Sequence, residues 1–270
     1  MSEDIVSREL TVTYTRRSKV RAVKDELPED ATIFSVSFCA PAGKITYLAG
    51  KNGSGKTTWI KAAVGLLPTA HGEVTYGGKS LDEVRRNFSI VMDNPPFYPH
   101  MSMRDNLRCV YDISEADIKS RGDLVENFQL ADYMSERVSH LSFGKRHRLA
   151  VLGALLRRPK FLILDEPDIG LDPESWDIVS KELRATAEGG AAVLITGQHI
   201  ELLYDITDHF IFLKDYKKRN EKRVRGSDIL FAGDKKEFAR QALDESGVDF
   251  DRHFDIRAAL LYRMKQGAQK

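Results

Sequence analysis

Residues 50–57 read GKNGSGKT, and this stretch restricts the fold more tightly than any other. The pattern G-x-x-x-x-G-K-[ST] carries its meaning in one setting, a loop that leaves a strand and opens a helix. There the glycines let successive backbone N–H groups converge on the oxygens of a phosphate chain. The setting is present: ITYLA at 45–49 is a short apolar run, and residues 56–67 have helical spacing. Lys56 then brings a point charge to the β- and γ-phosphates, and the Thr57 hydroxyl is placed to ligate Mg²⁺.

A second segment, FLILDEP at 161–167, supplies the other half of the chemistry. Four apolar residues without alternation suit a parallel strand buried on both faces. Asp165 and Glu166 follow at its end. A buried carboxylate pair is costly unless a cation or a proton shares the site. The pair therefore reads as a metal-holding Asp165 and a general base, Glu166.

AVLI at 192–195 is a further unalternating run. The helix expected between these two strands has clear punctuation: Asp172 as cap, Pro173 at the first position, Gly189-Gly190 at the end. Strands are also expected at 5–14, 33–38, 74–76, 88–92 and 209–213. The segment 102–157 reads as mostly helical, with capping-type starts at Ser102 and Ser114. The strand–helix alternation predicts an α/β core with a parallel sheet. A hairpin-like segment and a helical tail follow the last strand.

Composition narrows the function. With 42% hydrophobic and 30% charged residues the chain reads as a soluble globular protein. A formal net charge of +1 gives no global electrostatic case for nucleic acid, and none is expected as a partner. Cys39 and Cys109 lie far apart without metal-type spacing, and read as reduced thiols of a cytosolic protein. MSEDIVSREL lacks the apolar region of a secretory signal. The longest apolar run, LAVLGALL at 149–156, falls well short of the roughly 20 residues a membrane span needs. The basic run 214–226 reads as a solvated hairpin, with anionic headgroups as the alternative contact.

LSFGKRHRLA at 141–150 is an unusual helix start. Ser142 suits the cap, but Lys145, Arg146 and Arg148 oppose the partial positive charge of a helix N-terminus. Free N–H groups there bind anions well, so this start is expected to hold one.

Taken in order from about residue 5 to 235, these segments resemble the ATP-binding subunit of an ABC transporter. Gly50 to Thr58 matches that family's Walker A, Phe161 to Glu166 its Walker B with the catalytic glutamate, and GLDP at 170–173 its D-loop. LSFGK falls at the LSGGQ signature, His199 at the switch histidine, and Tyr14 near the aromatic that stacks on adenine. The resemblance implies a P-loop NTPase core with a mostly parallel sheet, an N-terminal antiparallel β subdomain and an inserted helical subdomain at about 95–157. One domain would cover 1–235, with a helical tail at 236–270.

It also implies ATP and Mg²⁺ as ligands. Tyr14, Gly50, Asn52, Gly53, Ser54, Gly55, Lys56, Thr57 and Thr58 would hold the nucleotide within one subunit, with Thr57, Asp93 and Asp165 around the metal. Ser142 and Gly144 would contact the γ-phosphate held by a second, head-to-tail subunit. Glu166, His199 and Lys56 would carry hydrolysis. A separate transmembrane permease subunit is implied, placing this chain in the cytoplasm on the inner face of the membrane. GLDP and the short tail after 226 look most like exporter-type subunits. Residues 95–111, with Phe97, Tyr98, Met101 and Met103, read either as core or as a groove for a helix of the permease.

The chain also departs from the pattern. Phe143 stands for a glycine, Lys145 for a glutamine and is expected to add charge facing ATP, and Asp93 for the Q-loop glutamine. Asp168 stands where a small polar residue is usual, and a polar insertion fills 15–32. The alternatives are a soluble ABC-type ATPase of translation or repair, and a regulatory ATP-binding module of low turnover.

Overall fold

The computed structural model describes residues 3–14, 32–50, 52–213, 229–234 and 237. The insertion after Tyr14, the basic run 214–226 and all but one residue of the tail lie outside the described residues. The strands are β1 Ile5–Tyr14, β2 Thr32–Ala40, β3 Ile45–Ala49, β4 His71–Tyr76, β5 Phe88–Val91, β6 Phe161–Leu164, β7 Ala192–Ile195, β8 His209–Leu213 and β9 Ile229–Asp234. The helices are α1 Lys56–Ala63, α2 Leu81–Val84, α3 Met103–Tyr111, α4 Glu115–Ser120, α5 Gly122–Asn127, α6 Phe143–Leu156, α7 Pro173–Glu188 and α8 Ile200–Ile206.

Two sheets form. β2-β1-β4 is antiparallel, and β5-β6-β7-β3-β8-β9 is parallel except for β9, which runs antiparallel to β8. Every residue of β3, β6 and β7 is buried, which is why their sequences do not alternate. Successive side chains still point to opposite faces. Leu162 and Leu164 enter one apolar cluster with α3, α6 and α7; Ile163 enters the other, with Trp59 and Ile60 of α1 and the antiparallel sheet. Each such side chain contributes roughly 1.5–3 kcal/mol by leaving water.

The punctuation of α7 is as the sequence predicts. Asp172 accepts a hydrogen bond from the Ser175 N–H at 2.7 Å, Pro173 opens the helix and Gly189 ends it. Ser102 and Ser114 cap α3 and α4. Other boundaries move. α1 stops at Ala63, short of residue 67, where Gly65 takes a left-handed φ of 74°. β4 begins at His71, ahead of 74. β1 carries a bulge between Ser7 and Leu10, with Glu9 at φ 46°; a Cβ on Gly72 opposite would collide with the Glu9 carbonyl. In the 95–111 segment Met103 is fully buried and Phe97 packs against the core, whereas Tyr98 is exposed.

Candidate active site

The parallel sheet delivers the site. Val91, Leu164 and Ile195 are aligned across β5, β6 and β7, and Ile195 is aligned with Tyr47 of β3. The loops that leave these strands carry Asp93, Asp165-Glu166, Thr196–His199 and the phosphate loop. All four open at the carboxyl end of the sheet, where open α/β folds bind their ligands.

In the phosphate loop, Gly53 and Gly55 take φ values of 86° and 100°, a region open to glycine. A Cβ on Gly50 would collide with the Ser54 hydroxyl. Ser54 is buried, and its Oγ has no hydrogen-bond partner among the described residues. Asn52 is exposed at the tip, and Thr57 and Thr58 are half-buried. Lys56 opens α1, is buried, and donates to the Gly50 carbonyl at 2.7 Å. Burial pushes its ammonium below the usual lysine range, while the carboxylates of Glu166 and Asp165 pull it back up.

The acidic pair is divided by its surroundings. Asp165 is buried; its Oδ1 accepts from the Thr196 hydroxyl at 2.6 Å, and its Oδ2 has no partner among the described residues. Glu166 has a φ of 54°, strained for a non-glycine residue, and its N–H is anchored on Thr196 Oγ at 3.0 Å. Its carboxylate accepts from the Gln198 side-chain amide at 3.2 and 3.1 Å. Asp93 is exposed, and its Oδ1 accepts from the Asn94 N–H at 2.8 Å.

A triphosphate with Mg²⁺ fits these residues. The glycine cradle leaves room for oxygens, and the unpartnered Ser54 Oγ and Asp165 Oδ2 are a donor and an acceptor without a mate. One carboxylate and one threonine hydroxyl, shared with phosphate oxygens, suit Mg²⁺.

Ser142 and Gly144 join a different set. Ser142 is exposed and caps α6 by accepting from the Lys145 N–H at 3.3 Å. Gly144 faces the Gly170 carbonyl, and the Phe143 ring covers Gly170 and stacks on buried His147 at 5.7 Å. The crowd of cations has a local explanation. The Lys145 ammonium lies 3.3 Å from the centre of the Tyr133 ring, so its charge has a partner within the helical segment. Arg146 reaches the Leu141 carbonyl, and Arg148 the Phe128 carbonyl and Gln129. These partners offset the unfavourable helix end, so the cations do not by themselves require an anion.

Residues 33–168, half of the chain, match the family model described as ABC transporter. The chain belongs to the ABC transporter family. It is 33% identical over 199 residues to the uncharacterized ABC transporter ATP-binding protein YdbJ of Bacillus subtilis, spanning 72% of this chain and 65% of YdbJ. The lantibiotic transport ATP-binding protein SrtF of Streptococcus pyogenes is 28% identical over 214 residues, 78% of this chain and 93% of SrtF. A solved structure of the ATP-binding subunit of an ABC transporter superposes with a TM-score of 0.75 at 22% identity, covering 96% of this chain and 98% of that one, which establishes the ABC ATPase fold.

Two residues of this site, Thr196 and Gln198, escape sequence reasoning, and so does the partner of Asp168, which the sequence marked only as a departure from the family pattern. Thr196 ties Asp165 to the Glu166 backbone, Gln198 holds the Glu166 carboxylate, and Asp168 receives His199. Each pairing spans about thirty positions of chain, so no local pattern carries it. The side chain of Tyr14 lies outside the described residues.

Proposed function

We propose that this chain is the ATP-hydrolysing subunit of an ABC transporter, acting as a pair of such subunits beneath a membrane-spanning permease. The observation that carries the reading is the convergence of Lys56, Asp165 and Glu166 at one end of the sheet, close enough for both carboxylates to act on the buried ammonium.

The reaction is ATP and water to ADP and phosphate. Lys56 and the N–H groups from Gly50 to Thr58 bind the phosphates. Mg²⁺, held by Thr57 and Asp165 with Asp93 beside them, would neutralise charge on the β- and γ-oxygens. Glu166, turned by the Thr196 and Gln198 contacts, orients the attacking water and takes its proton. His199 meets the γ-phosphate. Positioning and electrostatics supply most of the acceleration. Tyr14 stacks on the adenine. Ser142 and Gly144 complete the γ-phosphate site of the opposite subunit.

The relatives named as transporter ATP-binding proteins support a separate permease and a peripheral place on the cytoplasmic face; no helix among the described residues is long and apolar enough to cross a membrane. The name of SrtF, a lantibiotic transport protein, supports a transport role, and the GLDP segment favours export. Phosphate release from ATP by the purified chain, with and without Mg²⁺, tests the activity. Turnover that is absent in wild type, or unchanged in Glu166→Gln, would reject it.

A further inference from the structure

Asp168 is the least expected residue near the site. It is fully buried at the side chain, yet it is a carboxylate in a loop between β6 and α7. Its Oδ2 gathers three donors from one short segment. The His199 N–H donates at 2.9 Å, the His199 ring Nδ1 lies at 2.8 Å, and the Gln198 N–H is at 3.3 Å. Gly197 makes this approach possible, because a Cβ there would collide with Asp168 Oδ1 and with Leu203. The same Gln198 holds the Glu166 carboxylate through its side chain. One dipeptide, Gln198-His199, is therefore clamped between the general base on one side and Asp168 on the other.

The chemistry fixes a proton. An ionised carboxylate only accepts hydrogen bonds, and Oδ2 already accepts from backbone N–H groups. Nδ1 must then be the donor, so the ring carries a proton on Nδ1. Nε2 is left for the open side of an imidazole whose side chain is 56% exposed. A neutral ring in this tautomer offers only a lone pair at Nε2. With Nδ1–H held by Asp168, every hydrogen bond the ring makes to a ligand goes through Nε2.

We propose that Asp168 is a positioning residue that locks His199 in the Nδ1–H form with Nε2 outward, so that Nε2 is the ring atom turned to the γ-phosphate side. The proposal rests on the reading of His199 given above. A small polar residue at 168 could not supply the charge, and a freely turning imidazole could present either nitrogen. The arrangement has the logic of a carboxylate that orients a catalytic histidine without touching the substrate.

The test uses the full chain, Asp168→Asn as a near-isosteric variant, Gly197→Ala as an independent disruption from the other side, and His199→Gln. Nitrogen NMR of histidine-labelled protein, with the His199 signal assigned by its loss in His199→Gln, reads the tautomer directly. The expected result is a protonated Nδ1 in wild type and a shift toward Nε2–H or a mixture in both Asp168→Asn and Gly197→Ala. A wild-type ring protonated on Nε2 alone, or a signal unmoved by Asp168→Asn, overturns the proposal.

Kinetics give a second readout. Asp168→Asn should lower kcat by about tenfold or more, with the KM for ATP changed less than about threefold, because only the transition state loses support. The double variant with His199→Gln should be no worse than His199→Gln alone. Fully additive losses overturn an action through His199. Full turnover in His199→Gln overturns the role at the γ-phosphate, while the tautomer measurement still reports on the clamp. Failure of the ATPase reading itself shows separately, as absent wild-type turnover.

Discussion

The side-chain amide of Gln198 donates to both carboxylate oxygens of Glu166, at 3.2 and 3.1 Å. The Glu166 carboxylate, the proposed general base, is thus aimed by a residue from the next strand's loop, thirty-two positions away. Gln198→Ala should let the carboxylate turn. We expect kcat to fall by about tenfold and KM for ATP to stay within about twofold, since the amide orients the base and does not bind nucleotide. Steady-state kinetics check this, and an equal rise in KM would assign Gln198 to binding instead.

Glu166→Gln keeps the shape and the Gln198 neighbour but removes the proton acceptor. Hydrolysis should drop by roughly 10²–10⁴-fold, with ATP affinity preserved. An ATP-loaded pair should then accumulate, visible as a larger species in gel filtration. Unchanged turnover would take Glu166 out of the reaction.

Lys56 links ATP binding to pH. Burial lowers its pKa, and bound phosphates favour its charged form, so binding takes up a proton wherever free Lys56 has begun to lose its own. The sign follows: ATP affinity weakens as pH rises through the lowered free-state value, with a slope approaching about one proton. Isothermal titration in buffers of different ionisation enthalpy measures the uptake. Lys56→Ala should weaken binding and abolish this slope, and an unaltered ATP–Mg²⁺ dissociation constant would contradict the phosphate-site assignment.

His147 sets part of the acid limit. Burial pushes its imidazole below the ordinary value of 6.5, against the opposing pull of Asp168, a backbone hydrogen bond to Glu166, and Asp93. Between the folded value and 6.5 the unfolded chain holds more protons than the folded one. Stability is therefore fully present above 6.5 and falls as pH drops toward the folded value. His147→Gln should flatten this acid limb in denaturant melts. His209 is pushed down in the same direction, so some of the limb will remain. A limb unchanged by the substitution would show that His147 binds its proton equally in the folded and unfolded states, so that burial does not lower its pKa.

What the sequence made legible follows from how local each signal is. ITYLA, FLIL and AVLI carry their burial in four or five consecutive residues, and the structure reproduces all three strands at the expected bounds. The α7 cap is equally local, since Asp172 needs only Ser175. The strand–helix–strand context of GKNGSGKT places the phosphate loop for the same reason. The contacts that tune the site are not local. Thr196 to Asp165 and Asp168 to His199 join loops brought together by the register of β6 and β7, which no window of sequence contains. The cations of α6 show the converse. Lys145 and Arg148 look unpaired along the chain because Tyr133, Phe128 and Gln129 belong to a segment that folds back onto α6.

Ser142, the exposed cap of α6, separates the two halves of the proposed site. In the proposed head-to-tail pair, each γ-phosphate meets Ser142 and Gly144 of the opposite subunit. Ser142→Arg should then leave ATP binding by the isolated subunit intact, because that nucleotide contacts Lys56 and Thr57. ATP-driven pairing and hydrolysis should fail, because a bulky cation fills the seat of the phosphate. The cap itself is a weak loss, about 1 kcal/mol, and should not unfold the chain. Mixing Ser142→Arg with Glu166→Gln sharpens the test. In a mixed pair, the composite site built from the phosphate loop of the Glu166→Gln subunit and the substituted cap carries both lesions, and the other site carries neither. Activity should return on mixing, toward that of a single working site, as measured by phosphate release across a titration of one variant into the other. No recovery in pairs shown to be mixed, or loss of ATP binding by the folded Ser142→Arg subunit alone, would place this helix start in the subunit's own pocket and end the head-to-tail reading.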